Sequence, residues 1–556
     1  MRLNIQFRNR NGSSKATMFR TFTILIIWLL GSVSAFAQDR PNILFLFADD
    51  WGRHASIYSE VDGPGTVNDH IKTPHFDALA RQGVLFNNAY VSSPSCSPCR
   101  SALMSGQHFW RTGTGSVLRS AWDNTLPAYP LLLEKAGYHI GFSNKVWGPG
   151  APMNAPHGGE RAKYNKAGRS ICNISYFVEG RVKKGTAIEQ AKQEVMSQVR
   201  QNFRDFLAAR EEGKPFCFLF GPTTTHRKWV KGSGATQWGT NPDDLKGKLP
   251  PFLPDVHEVR EDLNDYFGQA MAFDMAIGAL VSELKKTGEY ENTIIVVSGD
   301  HGAPGFPHGK CNLYDFGSRV PLMLSGPNIK GGRVVEDFVS LPDLAPTFLE
   351  AGEVAVPETM TAQTLWPVLT SGDEGWVDAS RTQVYIGRER HVPVARAGEL
   401  PYPQRAIRTK GHLLIINFKP DRNPLGDPYK LDTPKEPDAA AIMKSTRVTL
   451  PDEDASPTKA WLVTNRNDPA WRSYYDQAYG KRPRLELYDL KKDPHQVNNV
   501  AAMPEYKEVV QRLETKLMTE LETTGDPRLV DGGRYFEEQE KFNEAYEKAK
   551  SEKRQR

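Results

Sequence analysis

The feature that most constrains this chain is a series of short apolar runs, each ending in polar residues and separated by helical segments. "NILFLF" (Asn42–Phe47) is the first. An apolar run without polar alternation is the pattern of a strand buried on both faces. It ends in "ADDWG"; Thr73 and Pro74 then open a helical segment, "TPHFDALARQG", that Gly83 closes. "YPLLLEKAGYHIGFSNK" repeats the order of helix, glycine stop and strand, and "KPFCFLFGP", "TIIVVSGDHG" and "RVPLMLSGP" read as further strands. Ile188, Ala191, Val195, Val199, Phe203, Phe206 and Leu207 recur at helical steps, and "YFGQAMAFDMAIGALVSELKK" is another helix. This alternation predicts an α/β fold with a mostly parallel central sheet flanked by helices. In such sheets ligands sit outside the carboxyl ends of the strands, and the polar clusters of this chain fall there.

The pattern changes near residue 375, so residues 38–375 are expected to form the main domain. "AIRTKGHLLIINF" and "RLELYDL" read as antiparallel strands, with a helix from Pro504 to Leu521 after them. Residues 376–530 are therefore expected to be a smaller α+β subdomain, and the charged tail 531–556 to be peripheral or mobile. Residues 1–37 have a basic start, an apolar core "TFTILIIWLLGSV", and small residues Ala35 and Ala37. That is the pattern of a cleaved signal peptide, and it predicts an exported protein, periplasmic or secreted. A retained anchor is the alternative; after cleavage no stretch remains that would span a membrane. The segment carries Arg2, Arg8, Arg10, Lys15 and Arg20 and no acid, so the remainder of the chain is close to neutral. Global charge therefore makes no case for nucleic acid. The five cysteines, Cys96, Cys99, Cys172, Cys217 and Cys311, are too few for a disulfide scaffold and lack zinc-ribbon spacing. Their odd number leaves at least one thiol unpaired.

Chemistry concentrates at four places. Asp49 and Asp50 follow the first strand, and Asp300 with His301 follows a later one. Such an oxygen-rich set favours Ca²⁺ or Mg²⁺ over zinc. Cys96 stands at the start of a short helix, "RSALMSG", whose N-terminus and Arg100 favour an anion. Lys145, His226 and Lys310 lie in strand-end loops, and with a metal they make a site for a tetrahedral anion. The loop "GRERHVPVARAGELPYPQR" contributes Arg388, Arg390, His391, Arg396 and Arg405, a set able to meet an acidic sugar or to form a solvated basic loop.

"CSPCRSALMSG" resembles the sulfatase signature, Cys-x-Pro-x-Arg followed by a helix and a Ser/Thr-Gly. "RPNILFLFADD", "TPHFDALARQGVLFNNAY", "SGDHG" and "LYDLKKDPHQVNN" resemble other sulfatase segments in the same order. The resemblance implies an alkaline-phosphatase-like fold and oxidation of Cys96 to formylglycine by a maturase that reads Pro98 and Arg100. It also implies one Ca²⁺ per chain, held by Asp49, Asp50, Asp300, His301 and the modified Cys96. Catalytic roles fall to Cys96, Arg100, Lys145, His226, Asp300 and Lys310. "YPQRAIRTKGHLLIINF", "LELYDLKKDPHQVNNVA" and "GRERH" are similar to the N-sulfoglucosamine sulfohydrolase branch. That likeness implies a sulfated polysaccharide or oligosaccharide substrate, with Arg390, His391, Arg396 and Arg405 as candidate contacts. Sulfatases commonly carry Lys-x-His where this chain reads Lys145-Val-Trp147, so Trp147 stands in place of a histidine linked to sulfate ejection, with His308 or a water as the substitute. A phosphohydrolase of the same fold, or a glycan-binding homologue with an impaired site, are the alternatives; oligomeric state is not legible.

Overall fold

The computed structural model describes residues 40–552, so the segment read as a signal peptide lies outside the described residues. From Pro41 onward the described residues form one compact unit. Its centre is a seven-stranded sheet made of β1 (Asn42–Ala48), β2 (Val84–Tyr90), β3 (His139–Asn144), β4 (Phe216–Gly221), β5 (Thr293–Gly299), β6 (Leu322–Ser325) and β7 (Arg333–Ser340). The order is β3-β4-β1-β5-β6-β2-β7, and only β6 runs against the others. A parallel return needs a crossover that carries the chain back to the opposite edge of the sheet. The segment between β5 and β6 has only a four-residue helix, Asp315–Ser318, and re-enters the sheet in the reverse direction.

The apolar character of β1 has a direct structural cause. Leu44 and Leu46 pack into one core with the helices Pro74–Gln82, Ile188–Ala209 and His257–Thr287. Ile43, Phe45 and Phe47 pack into the opposite core with the helices Cys96–Ser105, Tyr129–Lys135 and Leu344–Ala351. Both faces are covered, so neither tolerates a polar alternation. The sequence-predicted amphipathic helix runs over Ile188–Ala209, with Ala191, Val195, Val199, Phe203 and Phe206 buried.

A second, antiparallel sheet has the order β11-β10-β9-β8, with β8 (Gln383–Arg388), β9 (Gln404–Thr409), β10 (His412–Asn417) and β11 (Leu485–Asp489). Ile407, Leu414, Ile416 and Leu487 pack against Leu513, Leu517 and Leu521 of the helix Lys507–Thr523. Val384, Ile386, Leu413 and Ile415 turn instead to Tyr90 and Phe338 at the end of the central sheet. The expectation of a peripheral or mobile tail is overturned for its described part. Phe536 and Phe542 are fully buried in the same cluster as Leu517, and Asn543 bonds Arg390 and Glu399. The aromatic residues scattered among the tail's charges supply the apolar face that docks it.

Candidate active site

Because β1 to β5 are mutually parallel, wherever they fall in the sequence, their carboxyl ends share one edge of the sheet, and Asp49, Lys145 and Asp300 directly follow β1, β3 and β5. Asp50 has a left-handed backbone (φ 62°), and its N–H donates to Asp300 Oδ1 at 2.7 Å. An aspartate tolerates that conformation better than bulkier residues do. The turns approach so closely that a Cβ at Gly299 would lie 1.9 Å from the Trp51 carbonyl oxygen. Tyr266 OH donates to the Asp50 carbonyl at 3.0 Å, and the Thr225 hydroxyl donates to the Asp49 carbonyl. These two supports were invisible in the sequence, since neither belongs to a motif.

Cys96 is the first residue of the helix Cys96–Ser105, which Gly106 ends in a left-handed conformation (φ 64°). Its Sγ lies 3.6 Å from Asp49 Oδ1, 4.0 Å from Asp50 Oδ1 and 3.5 Å from His301 Nε2. His301 Nε2 also faces Asp50 Oδ1 at 3.2 Å and Asp300 Oδ1 at 3.5 Å, while its Nδ1 is 3.3 Å from the Gly302 carbonyl. With the proton assigned to Nδ1, a nitrogen lone pair and carboxylate oxygens crowd one point. Ligand atoms of Asp49, Asp50, Cys96, Asp300 and His301 come together in groups able to hold a metal ion. The donor chemistry therefore fits a hard divalent cation.

Basic side chains surround these acids. Lys145 Nζ contacts Asp49 Oδ1, and Lys310 Nζ contacts Asp50 Oδ2 at 3.0 Å and Asp454 Oδ2 at 3.3 Å. His226 Nε2 stands 3.9 Å from Asp50 Oδ2, its ring about a third exposed (35%). Burial alone would raise the Asp49 carboxyl, but Lys145 and Arg100 outweigh it and hold it well below the ordinary range. Burial dominates at Asp300 and raises it despite His301 and Arg100. The Cys96 thiol is pushed far up, first by burial and then by Asp49. An unmodified Cys96 is therefore a protonated thiol and a weak nucleophile.

Arg100 takes a different position from the one expected. All of its nitrogens are engaged: Nε with Asp300 Oδ2 at 2.8 Å, Nη1 with the Val146 carbonyl at 3.0 Å, and Nη2 with Asp49 Oδ1 at 3.3 Å. It is completely buried and orients the aspartates from behind. Trp147 is likewise core: its indole N–H donates to Ser101 Oγ at 2.7 Å and its ring meets Trp122 edge-on. His308 does not substitute for a missing histidine. It is buried between the rings of Phe252 and Tyr314, which holds it well below the usual imidazole range through burial.

The basic loop separates into one site neighbour and four buried arginines, of which Arg388 pairs with Asp452. Arg405 pairs with Glu389 at 2.9 Å and Asp526 at 2.6 Å, Arg396 with Asp452 at 2.8 Å, and Arg390 donates to Asn543 at 3.0 Å. All three are buried, so the expected sugar contacts are not on offer from them. His391 remains beside the site, its Nδ1 2.8 Å from the hydroxyl of Ser95, which precedes Cys96. Burial, followed by Lys310, drives its pKa down to about 3, so it is a neutral imidazole. Arg405→Ala should cost about 3–5 kcal/mol, because it takes the guanidinium from buried Asp526, while Glu389 keeps Arg528. Denaturant unfolding measures that loss; an unchanged midpoint would return Arg405 to the list of substrate contacts.

The residues that build this edge coincide with a family match. A model described as Sulfatase matches residues 41–354, and one described as N-sulphoglucosamine sulphohydrolase, C-terminal, matches residues 301–423. Human N-sulphoglucosamine sulphohydrolase is 27% identical over 534 residues, covering 89% of this chain and 93% of that protein. An ulvan-active sulfatase of Formosa agariphila is 25% identical over 536 residues, covering 88% and 76%. A solved structure of a protein with its substrate D-glucosamine-2-N,6-O-disulfate shares the fold (TM-score 0.56, 19% identity, 88% of this chain and 100% of that chain). So does the phosphonate monoester hydrolase of Agrobacterium radiobacter (TM-score 0.59, 17% identity, 88% and 97%). A match running from β1 past β7 and the helix Leu344–Ala351, a stretch that holds both acid clusters and Cys96, establishes that the chain belongs to the sulfatase family, hydrolases of sulfate esters and N-sulfates.

Proposed function

We propose that this protein is an exported sulfatase acting on a sulfated glycan, with residue 96 as its nucleophile after oxidation to formylglycine by a maturase. The observation that carries this reading is the seat of Cys96 at a helix N-terminus, its Sγ 3.6 Å from Asp49 Oδ1 and 3.5 Å from His301 Nε2, with Lys145 on Asp49 and Lys310 on Asp50. Asp49, Asp50, Asp300, His301 and the side chain at 96 would hold one Ca²⁺, with Mg²⁺ the weaker fit. When bound, the ion supplies positive charge against the sulfuryl oxygens. The hydrated aldehyde supplies an attacking oxygen and a second hydroxyl through which sulfate can leave, which a serine or a thiol lacks.

The remaining steps belong to the chain's own side chains. Asp300, held by Arg100, receives the proton of the attacking hydroxyl. Lys145 and Lys310 draw the sulfuryl oxygens into place. His226 or Lys310 hands a proton to the departing atom, and His391 borders the substrate beside Ser95. Residues 38–375 would supply the nucleophile and metal side, and residues 376–530 would close the substrate side. Among the described residues no helix is long and apolar enough to cross a membrane. Extracellular sulfatases among the relatives, such as a SULF-1 homolog of Drosophila melanogaster, support export.

The test is protein made with a competent maturase. The peptide containing residue 96 should be lighter than its thiol form, and sulfate should be released from a panel of N- and O-sulfated glucosamines and oligosaccharides. Sulfate release by protein carrying an unmodified thiol would sink the nucleophile. Faster release of phosphate than of sulfate from matched esters would favour a phosphohydrolase.

A further inference from the structure

Asp454 belongs to "PDEDASP", a segment outside every motif named above. Its three consecutive acids point three ways. Asp452 binds Arg388 and Arg396 and accepts the Val392 N–H at 2.9 Å, while Glu453 accepts from the Tyr479 hydroxyl. Only Asp454 reaches the active site, where Lys310 Nζ touches both it and Asp50. The next hydroxyl, Ser456 Oγ, donates to the Gly305 carbonyl at 2.7 Å and ties the segment to the loop that carries Lys310. The carboxylate is thus held in place one side chain outward from the metal-side aspartates. It is largely shielded, with 18% of its side chain accessible.

A carboxylate at that point repels a sulfuryl group, so it suits the other side of the scissile bond. The charge of the leaving group then decides which bond it favours. N-sulfo hydrolysis runs R–NH–SO₃⁻ + H₂O → R–NH₃⁺ + SO₄²⁻. Oxygen bonds to sulfur, the S–N bond breaks with its electron pair on nitrogen, and nitrogen ends with both protons of the water. The ester case runs R–O–SO₃⁻ + H₂O → R–OH + SO₄²⁻ + H⁺, and its leaving group is neutral. Beside Lys310, an ammonium needs a counter-charge and an alcohol does not.

We propose that Asp454 is a specificity-determining residue, the counter-ion for the nitrogen of an N-sulfated amino sugar as that nitrogen becomes ammonium. This rests on the sulfatase reading. The test uses matured, calcium-loaded protein. D-Glucosamine should bind at least ~10-fold tighter than N-acetylglucosamine by calorimetry, since only the former is cationic, and Asp454→Asn should erase that preference. The ratio of kcat/KM for N-sulfoglucosamine to that for 4-nitrophenyl sulfate should fall roughly 30-fold in Asp454→Asn, with Asp454→Glu recovering part of it. Equal losses on both substrates, or no preference for glucosamine in the unaltered protein, would overturn the proposal; the first result would leave Asp454 as a support for Lys310. Release from the aryl ester but not from N-sulfoglucosamine also overturns it and leaves the sulfatase reading standing. Release from neither substrate overturns both.

Discussion

Replacing Cys96 by alanine should cut sulfate release by roughly 10⁴-fold or more, the scale on which enzymes fail when the nucleophile is removed. The fold should survive. The side chain is small and its Sγ makes only long contacts, 3.5 Å and beyond, with His301, Asp49 and Asp50. Its loss leaves a small void in a helix start still secured by the Cys99 N–H to Ser95 carbonyl bond at 2.8 Å, so destabilisation should stay near about 1 kcal/mol. Protein made without a maturase should be as inactive as the alanine variant, because burial and Asp49 keep the native thiol protonated. Ion chromatography of released sulfate, with thermal unfolding as the control for folding, checks both statements. Turnover persisting in the alanine variant would remove residue 96 from the chemistry.

Chelation should have the second largest effect. The oxygens of Asp50 and Asp300 stand 3.2 Å and 3.5 Å from His301 Nε2, a convergence of donors that a bound cation would stabilise. Adding Ca²⁺ to chelated protein should raise the unfolding temperature, with a stabilisation of about 4 kcal/mol once the ion reaches a thousand times its Kd. Activity should return over the same concentration range, after a loss of roughly 10³-fold in its absence. Mg²⁺ should give a smaller shift, since it demands tighter octahedral geometry than this mixed set offers. Asp50→Asn should abolish the calcium-dependent shift in unfolding temperature. A melting curve indifferent to Ca²⁺ would show that the acids serve only their lysine and arginine partners.

These two predictions draw on features that stand differently toward the sequence. The acid pairs were legible because burial of a strand on both faces is a local property: the residues of "NILFLF" are all apolar, so the first polar residues after it must emerge at the sheet edge. The position of Cys96 at a helix start was legible for a similar reason, from a glycine stop and a run of helix formers close by in the chain. Arg100 was legible as a site residue but not in its role, since its fork is consumed by Asp300, Asp49 and two carbonyls contributed by distant segments.

The substrate side was a different matter. Arginines in a loop between strands are ordinarily solvated, and nothing near Arg405 in sequence announces Asp526 as its partner. Trp147 sits where the family motif puts a histidine, yet its ring belongs to the core because Ser101 and Trp122 receive it. Asp454 lay in an unremarked acidic stretch until the fold brought it to Lys310. Sequence alone thus determined the α/β architecture, the edge at which chemistry gathers and the seat of Cys96 at a helix start, since each follows from short-range patterns of apolarity and backbone preference. Tertiary structure alone decided which charges are spent on one another and which face a substrate, because ion pairing in a buried interior depends on partners that chain folding, not chain order, makes neighbours.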